Sequence, residues 1–520
     1  MNLTTALHII AVIACFASGA LTVLKSTHIF QLNSYKSKVQ LKWIKSNWIK
    51  YIPSILALVI AVIGIFTNSV GAYIAFYVVA ILNAIAGKPL KNAKKPLVYT
   101  ARVKRLLAST AVMIAVLLGL TFIGKSASLF GVCLVLALMP FAVLAGNAVN
   151  APVEKAIRQH YINDAKKMLK ACPDLKVIGI TGSYGKTSVK YYLSTVLKAK
   201  YNVLMTPESF NTPMGVVKTI REQLRPTHEI FVCEMGARNV NDIKEICDIV
   251  FPDYGIITSI GEQHLESFKT IDNIVKTKFE LYDAVENKEN MFLNGDNENI
   301  SNKLASLGDD KCHTYGLNSD NEAYAYDISV SQRGTTFSVF CRGQRLENLQ
   351  TPLIGEHNVT NILGVISVCL SLGLSEDDIR IYLRKLTSPP HRLQLSRRGA
   401  NAIIDDAYNS NPAGCKAALN TLALFPDVKI LITPGMVELG DKQYECNYEF
   451  GRQAAEVCDY VYLIGKKQTE PIYNGLVEAG FPKEKITVAG SFIEGFNSAN
   501  AVEYNKPKVI LIENDLPDNY

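Results

Sequence analysis

The first 150 residues contain no aspartate or glutamate, although the whole chain has 47 acidic residues. Five apolar stretches occupy this acid-free region, at residues 5–24, 52–67, 70–87, 106–124 and 126–149. Each approaches the roughly 20 residues that a helix needs to cross about 30 Å of hydrocarbon. The pattern therefore predicts that residues 1–150 fold as an α-helical membrane domain with about five spans.

The basic residues between the apolar stretches predict how this domain is oriented. Residues 25–51 hold six lysines and residues 88–105 hold seven lysines or arginines, whereas Lys125 is the only basic residue of the other links. Loops on the cytoplasmic side carry the excess of lysine and arginine. We therefore expect a multi-pass protein of the cell membrane, with its N-terminus outside and the chain after Asn150 in the cytoplasm.

Two questions about this region stay open at the level of sequence. A cleaved signal peptide is an alternative for the first apolar stretch, but it lacks a basic segment before it and a clear small-residue cleavage site. The domain is either a plain anchor or a site for a lipid-linked substrate or partner. The second role would use Trp43, Trp48 and Tyr51, because aromatic side chains favour the membrane interface and the surrounding lysines attract anionic headgroups.

The rest of the chain differs in charge and in pattern. Its 40 basic residues are outnumbered by the 47 acidic ones, so nucleic acid is not an expected partner. Eleven cysteines are scattered without a CxxC pair, which favours reduced thiols in the cytosol over disulfides or zinc.

Strands and helices alternate after residue 150, which predicts α/β domains. A helical connector with an apolar stripe is expected first, formed by Val153, Ile157, Tyr161, Ala165 and Met168. Predicted strands of a parallel sheet follow at 177–181, 203–206, 229–235, 254–260 and 290–294, and then a β-rich patch at 325–341. Helices near 358–372 and 376–386 precede further strands at 402–405, 428–433, 460–464 and 507–513. We predict a central P-loop domain over 151–388 and a smaller Rossmann-like α/β domain over 389–520.

Residues 177–188, VIGITGSYGKTS, have the pattern of a strand, a glycine turn and the start of a helix. Backbone N–H groups in such a turn and the positive end of the helix form a cradle for phosphates. Lys186 would neutralise the β- and γ-phosphates, and the Thr187 hydroxyl would ligate magnesium. The sequence therefore predicts a site for ATP or GTP with Mg²⁺, formed by Gly182, Ser183, Gly185, Lys186, Thr187 and Ser188.

The unusual glycine spacing of this loop resembles that of the Mur ligases, ATP-dependent enzymes that build the stem peptide of the bacterial cell wall. Further matches follow in order over about 260 residues: EMGA at 234–237, TSI at 258–260, HLESF at 264–268, Lys278, LNGD at 293–296, GEHNVTN at 355–361, Arg392, DDAYNSNP at 405–412 and GMVELG at 435–440. The likeness covers the central and C-terminal domains, and it is greatest for the MurF branch, which adds D-alanyl-D-alanine.

The resemblance implies roles for residues whose chemistry is ambiguous when each is considered alone. It implies that Glu234 and His264 hold magnesium, and that Lys278 reacts with carbon dioxide to give a carbamate that binds a second magnesium ion. Carboxylate and phosphate oxygens are the ligands that magnesium prefers. Lys186, His264, Lys278 and Arg392 are the catalytic residues that the resemblance implies.

Further contacts are implied on the nucleotide and on the incoming amine. Asn294 and Asn358 would contact adenine or ribose, and Arg392 and Asp406 would reach the γ-phosphate and ribose. The residues that would face the incoming amino acid or dipeptide are Asn409, Ser410 and Asn411.

The implied reaction is amide ligation through an acyl phosphate, but the acceptor is open. MurF-type enzymes hold the uridine nucleotide of the acceptor in an N-terminal soluble domain, and here the membrane segment stands in its place. A UDP-muramoyl peptide and a lipid-linked carboxylate are both compatible with this change. Two other functions are alternatives: a membrane scaffold or regulator that binds ATP without ligation, and a ligase for a different polymer.

Overall fold

The structure, a computed structural model, describes most of the chain and divides it into two compact units. The described residues are 3–64, 69–88, 95–123, 128–208, 210–263, 265–308, 311–399, 401–408, 410–437, 439–502 and 506–515. Residues 1–160 form the N-terminal unit, and residues 161–516 form the C-terminal unit. The predicted limits at residues 150 and 388 stay predictions.

The N-terminal unit is helical, as expected from its apolar stretches. Its helices are α1 (Leu3–Leu32), α2 (Ser37–Ser46), a 3-10 helix (Trp48–Tyr51), α3 (Ile52–Gly64), α4 (Val70–Ala86), α5 (Ala101–Leu120) and α6 (Ser128–Lys170). Within the described residues, three helices are long and apolar enough to cross a membrane: Leu3–Leu32, Ala101–Leu120 and Leu129–Lys170. The second and third predicted spans coincide with shorter apolar helices, Trp48–Val62 and Val70–Ala86, so the count of five stays a prediction.

The outer faces of these helices carry large apolar side chains. Ile13 is 62% exposed, Ile81 is 60% exposed and Val112 is 63% exposed. Exposed apolar surface on this scale is unfavourable in water, and it suits helices that contact lipid.

Helix α6 runs without interruption from the fifth predicted span into the predicted connector. The connector is therefore helical, as expected, but its buried stripe begins later than the sequence predicted. Val153 is 47% exposed, whereas Ile162, Ala165 and Leu169 are buried in a core of the C-terminal unit.

The C-terminal unit contains a nine-stranded sheet of the order β2-β3-β1-β4-β5-β6-β7-β8-β9. Strands β1 to β7 pair in parallel, and β8 and β9 add two antiparallel pairings at one edge. The strands are β1 (Lys176–Thr181), β2 (Val203–Met205), β3 (Ile230–Glu234), β4 (Tyr254–Ile257), β5 (Met291–Asn294), β6 (His313–Gly316), β7 (Ala323–Ser331), β8 (Gly334–Cys341) and β9 (Gln344–Thr351). The helices are α7 (Lys186–Leu197), α8 (Pro213–Gln223), α9 (Asp242–Val250), α10 (Leu265–Phe268), α11 (Ile271–Ala284), α12 (Glu298–Leu307), α13 (Glu356–Ser371) and α14 (Glu376–Leu383).

A six-stranded sheet of the order β10-β11-β15-β12-β13-β14 follows in the chain. It is parallel except for the edge strand β10, as expected for a Rossmann-like domain. The strands are β10 (Gln394–Arg398), β11 (Asn401–Asp406), β12 (Val428–Thr433), β13 (Tyr460–Ile464), β14 (Ile486–Ala489) and β15 (Lys508–Glu513). The helices are α15 (Pro412–Ala423), α16 (Gln443–Val457), α17 (Glu470–Glu478) and α18 (Phe492–Ala501).

The parallel registers bring chemically useful residues together at the carboxyl ends of strands. Ile180 of β1 lies opposite Glu234 of β3, and Thr181 lies opposite Ile257 of β4. Ligands of open α/β sheets bind outside these strand ends. The loops after β1, β3 and β4 therefore define the place where a site is expected.

We expect the core beneath this edge to be sensitive to lost volume. Ile178, in the middle of β1, is fully buried, so Ile178→Ala should lower the free energy of unfolding by about 2–5 kcal/mol. Urea unfolding of the full-length protein in detergent measures this change. Ile381→Ala, at a side chain that is 52% exposed, is the matched control and should cost less than about 1 kcal/mol. Equal costs at the two positions would contradict the assigned core.

Candidate active site

The loop between β1 and α7 needs glycine at two positions. Gly182 has a φ of +152° and Gly185 has a φ of +81°, both in the region that favours glycine. A Cβ atom at Gly182 would also lie 2.0 Å from Thr258 Oγ1, and one at Gly185 would lie 2.7 Å from Asn361 Oδ1. The loop is therefore packed closely on both sides.

The loop after β4 holds this turn in place. The backbone N–H of Ser183 donates to the carbonyl oxygen of Ser259 at 2.6 Å, and that of Tyr184 donates to Ser259 Oγ at 3.2 Å. Ser183 Oγ donates to the carbonyl oxygen of Gly261 at 3.1 Å. The first turn of α7, which contains Lys186 and Thr187, has N–H groups without acceptors in the helix itself. The arrangement is a fixed turn followed by a helix end that can bind an anion.

Lys186 folds back over this turn. Its Nζ donates to the carbonyl oxygens of Gly182 at 2.7 Å and Ser183 at 3.1 Å. Burial lowers the pKa of Lys186 to about 8; the Glu234 carboxylate opposes this shift, and the Arg392 guanidinium adds to it. Arg392 comes just before strand β10 of the second sheet. Its effect on the pKa of Lys186 shows that it is close enough to the loop for its charge to act there.

The Glu234 carboxylate, 1% exposed, is the most heavily bonded group of the site. It accepts hydrogen bonds from Thr187 Oγ1 at 3.1 and 3.2 Å and from Asn211 Nδ2 at 3.0 Å. Lys190 Nζ, on a side chain with no exposure, lies 2.9 Å from Glu234 Oε2. Burial alone would raise the pKa of Glu234, but Lys190, Lys186 and the Asn211 hydrogen bond hold it below its usual value. The carboxylate is therefore ionised at neutral pH.

Two of the residues expected to hold magnesium are thus together. The Thr187 hydroxyl and the Glu234 carboxylate offer hard oxygen ligands, which fit Mg²⁺. His264 lies outside the described residues. Among the residues that are described, no group of three or more His, Cys, Asp or Glu side chains could hold a metal ion.

Lys278, the residue expected to be carbamylated, lies on α11 and is 2% exposed. Burial and the charge of Lys186 lower its pKa well below the ordinary value for lysine, against the opposing effect of Glu280. A larger fraction of neutral amine follows at neutral pH, and the neutral form is the one that can act as a nucleophile.

The asparagines expected to contact the nucleotide base or ribose bond to the protein itself. Asn294 Nδ2 donates to the carbonyl oxygen of Thr258 at 2.8 Å, which joins the ends of β5 and β4. Asn358 Nδ2 donates to the carbonyl oxygen of Ile354 at 2.9 Å, and its Oδ1 accepts from the Tyr192 hydroxyl at 2.8 Å. Their contact with a nucleotide stays a prediction.

The second sheet contributes Arg392 and Asp406. The Arg392 guanidinium lies over the Tyr408 ring, with 4.4 Å between Cζ and the ring centroid. Asp406 Oδ1 accepts a hydrogen bond from the backbone N–H of Leu393 at 3.1 Å. Burial raises the pKa of Asp406 to about 6, although Arg392 opposes the shift.

The stretch expected to face the incoming amine starts a helix. Ser410 Oγ donates to Glu513 Oε1 at 2.7 Å, and Asn411 caps α15 by accepting from the backbone N–H of Gly414 at 2.9 Å. Asn409 lies outside the described residues. Their contact with an amine stays a prediction.

Comparison with known proteins identifies the family. Residues 180–369 match the Mur ligase middle domain, and residues 391–513 match the Mur ligase glutamate ligase domain. The two matches together cover more than half of the chain. The chain belongs to the Mur ligase family. This confirms the family expected from the loop and from the motifs after it.

Three similar proteins place the chain beside MurF. It is 30% identical over 295 residues to the UDP-N-acetylmuramoyl-tripeptide–D-alanyl-D-alanine ligase of Escherichia coli K12, covering 56% of this chain and 65% of that one. MurF from Acinetobacter baumannii superimposes with a TM-score of 0.61 at 24% identity, covering 69% of this chain and 77% of that one. MurF ligase from Thermotoga maritima, in complex with ADP, gives 0.60 at 24% identity, covering 69% and 80%. The chain thus spans just under two thirds of the length of its E. coli relative.

Some residues of this Mur ligase site were missed from sequence. Lys190 follows Lys186 by one helical turn, so the spacing on α7 could have predicted that both lie near the phosphate loop. Asn361 lies in the GEHNVTN motif and Asn211 lies in the loop before α8, but nothing in their spacing distinguishes them from other loop and helix asparagines. Glu513 ends a strand far along the chain, and only the sheet register brings it near Asp406.

The ion pair of Lys190 with Glu234 should be costly to break on one side. Glu234→Gln leaves Lys190 buried without an anion, so the free energy of unfolding should fall by about 3–5 kcal/mol. Adding Lys190→Met should restore most of it, as measured by urea unfolding of all three proteins. Asp248→Asn breaks an exposed pair with a similar 2.8 Å distance to Lys244 and should cost less than about 1 kcal/mol. A Glu234→Gln cost no larger than that of the control would rule out a stabilising buried pair.

Proposed function

We propose that the protein is an ATP-dependent amide ligase of the MurF type that acts at the cytoplasmic face of the cell membrane. Its products would be precursors of the bacterial cell wall. The observation that carries the proposal is the convergence of the phosphate loop, the oxygen pair of Thr187 and Glu234, and the cations Lys186 and Arg392. These are the groups that transfer of a phosphoryl group to a carboxylate requires.

The reaction would begin when an oxygen of the acceptor carboxylate attacks the γ-phosphorus of ATP. The bond to the β-phosphate oxygen breaks, leaving ADP and an acyl phosphate. Lys186, Arg392 and the N–H groups of the first turn of α7 would neutralise the charge on the transferred group. Thr187 and Glu234 would hold magnesium, which screens the charge between ATP and the attacking carboxylate.

An amine then attacks the carbonyl carbon of the acyl phosphate. The tetrahedral intermediate collapses with loss of inorganic phosphate, and an amide bond remains. Ser410 and the residues on either side of it would face the incoming amino acid or dipeptide, of which D-alanyl-D-alanine is the one that MurF enzymes add.

Lys278 would take part as its carbamate. Its lowered pKa supports this, because the neutral amine is the form that attacks carbon dioxide. The product loses a proton and becomes an anion within the site. His264 and this carbamate would complete the ligands for two magnesium ions.

The membrane unit favours an acceptor that arrives by way of the membrane. Trp43 and Tyr51 pack edge to face with ring centroids 6.3 Å apart, and Lys50 lies over the Trp43 ring at 5.2 Å. Aromatic and basic side chains in this arrangement suit the region of lipid headgroups. We propose five spans with the N-terminus outside, and a lipid-linked muramoyl peptide as the acceptor.

A second candidate is a membrane-bound scaffold or regulator that binds ATP without ligation. The observation in its favour is the helical unit at the position where MurF has its acceptor domain. A ligase for a polymer other than the muramoyl peptide is a variant of the first candidate.

Ligation should release phosphate only when both an acceptor and an amine are present. We expect the full-length protein in detergent or nanodiscs to show this double requirement, and Lys186→Ala and Lys278→Ala each to lower the rate by about 100-fold or more. The exposed Lys218→Ala is the control and should keep the wild-type rate. Release that survives both active-site substitutions would contradict the ligase proposal, and ATP binding without release for any acceptor would favour the scaffold.

Offering UDP-linked and lipid-linked muramoyl peptides with a panel of amino acids and dipeptides should identify the acceptor. We expect the lipid-linked form to give the higher kcat/KM. Trp43→Ala and Lys50→Ala should raise KM for the lipid-linked acceptor by about tenfold while leaving KM for ATP unchanged. If both acceptors gave the same kcat/KM, and if Trp43→Ala and Lys50→Ala left KM unchanged, the membrane unit would serve only as an anchor.

A further inference from the structure

Two buried carboxyl groups lie side by side at the carboxyl edge of the second sheet. Asp406 ends β11 and Glu513 ends β15, and the two residues are opposite each other in the parallel register. Asp406 is 9% exposed and Glu513 is 1% exposed. Glu513 has no counterpart among the residues to which the family resemblance assigns a role.

The partners of Glu513 connect two parts of the expected site. Its Oε1 accepts from Ser410 Oγ at 2.7 Å and from Cys415 Sγ at 3.4 Å. Its Oε2 is buried and has no hydrogen-bond donor in reach while both carboxyl groups are ionised. The carboxyl of Asp406, the register partner of Glu513, is the charged group that acts most strongly on it.

A proton shared by the two carboxyl groups removes their repulsion and gives Oε2 a hydrogen-bond partner. Two adjacent carboxylates out of contact with water repel each other, so the pair retains a proton well above the ordinary carboxyl range. Burial and the Asp406 carboxyl raise the pKa of Glu513 well above its usual value. Burial raises the pKa of Asp406 only to about 6, because Arg392, the backbone N–H of Leu393 and the hydrogen bond with Glu513 stabilise its anion. With the proton on Glu513, Oε2 becomes a donor to Asp406, and no polar atom of the pair is left without a partner.

The other charged groups around the pair are already engaged. Asp405 Oδ2 lies 2.8 Å from His391 Nδ1, and Arg392 lies against the Tyr408 ring. Burial and the Glu513 carboxyl raise the pKa of the Cys415 thiol well above its usual value, so it stays neutral. The pair therefore carries one negative charge at neutral pH, and that charge belongs to Asp406 beside Arg392.

We propose that Glu513, in its protonated form, is a positioning residue of the ligase. It donates to Asp406, the expected ribose contact, and it accepts from Ser410, in the stretch expected to face the amine. It thereby holds the nucleotide side and the amine side of the second sheet in one fixed arrangement. This role rests on the ligase function proposed above.

Substitution by glutamine separates a protonated role from an anionic one. The side chain of Glu513→Gln can still donate to Asp406 and accept from Ser410, whereas that of Glu513→Ala can do neither. In the full-length protein at neutral pH, Glu513→Gln should keep KM for ATP and for the amine within about threefold of wild type. Glu513→Ala should raise both by about tenfold to hundredfold, the loss expected for hydrogen bonds to a charged group.

The pH dependence provides a readout that a purely structural role would not change. Above the raised pKa of Glu513, wild type loses the shared proton, so its ATP affinity should fall as the pH rises above neutral. Glu513→Gln has no such proton to lose and should show a smaller fall. The free energy of unfolding changes in the same direction. Folding raises both pKa values, so the folded state binds more protons than the unfolded state, and wild type loses stability as the pH rises from the ordinary carboxyl range through the raised pKa values. The loss should be smaller in Glu513→Gln.

These measurements distinguish failure of the inference from failure of the ligase proposal. ATP affinity and thermal unfolding midpoints need no turnover, so they test Glu513 even if no acceptor is used. A Glu513→Gln variant as defective as Glu513→Ala, or one with the pH dependence of wild type, would overturn the protonated role. If Glu513→Ala does not fold, the comparison of wild type with Glu513→Gln decides alone. Glu484→Gln, at an exposed acid, is the control and should match wild type throughout.

Discussion

The buried carboxylate of Glu234 is the interaction on which the site depends. An isolated carboxylate taken out of water is strongly unfavourable, so its position must supply compensating groups. Here these come from three residues on two separate elements: Thr187 and Lys190 on α7, and Asn211 from the loop before α8. Pairing β3 with β1 places the carboxylate beside the phosphate loop, and the loop in turn is fixed by the segment after β4. Removing the charge would therefore disturb the phosphate site as well as the stability of the sheet.

The parts of the fold and site that could be predicted from sequence are those whose pattern lies within a few neighbouring residues. Strands β1 to β5 of the central sheet are apolar runs bounded by turns, so their positions were predicted within a few residues, and the phosphate loop was identified from its glycines and Lys186. Strands β6, β9, β10 and β14 were missed because they are short or lie at sheet edges, where side chains are polar. The position of Glu513 beside Asp406 could not be predicted, because it depends on the pairing of β11 with β15, and the two residues are more than 100 residues apart in the chain.

The N-terminal unit shows the same contrast between composition and geometry. The absence of acidic side chains predicts helices in lipid, and the exposed Ile13, Ile81 and Val112 agree with that environment. The lengths of the helices are less decisive for whether each one crosses a membrane. Helices Trp48–Val62 and Val70–Ala86 are shorter than the usual span, and a short helix crosses a bilayer only where the lipid thins or flanking residues reach the headgroups. Lys45 and Lys50 lie at the N-terminal end of the first of them, where long basic side chains can reach the headgroups.

Under the proposed function, a membrane unit in place of an acceptor-binding domain would change how affinity for the acceptor is obtained. A soluble ligase must bind its nucleotide-linked acceptor from solution, and it loses translational and rotational freedom in doing so. An acceptor carried by a lipid in the same membrane is already confined near the enzyme, which raises its effective concentration. Under the proposed function, Trp43, Lys50 and Tyr51 need only orient the headgroup. The specificity that a uridine site provides in MurF would then come from the shared membrane, and the catalytic unit could keep its ATP chemistry unchanged.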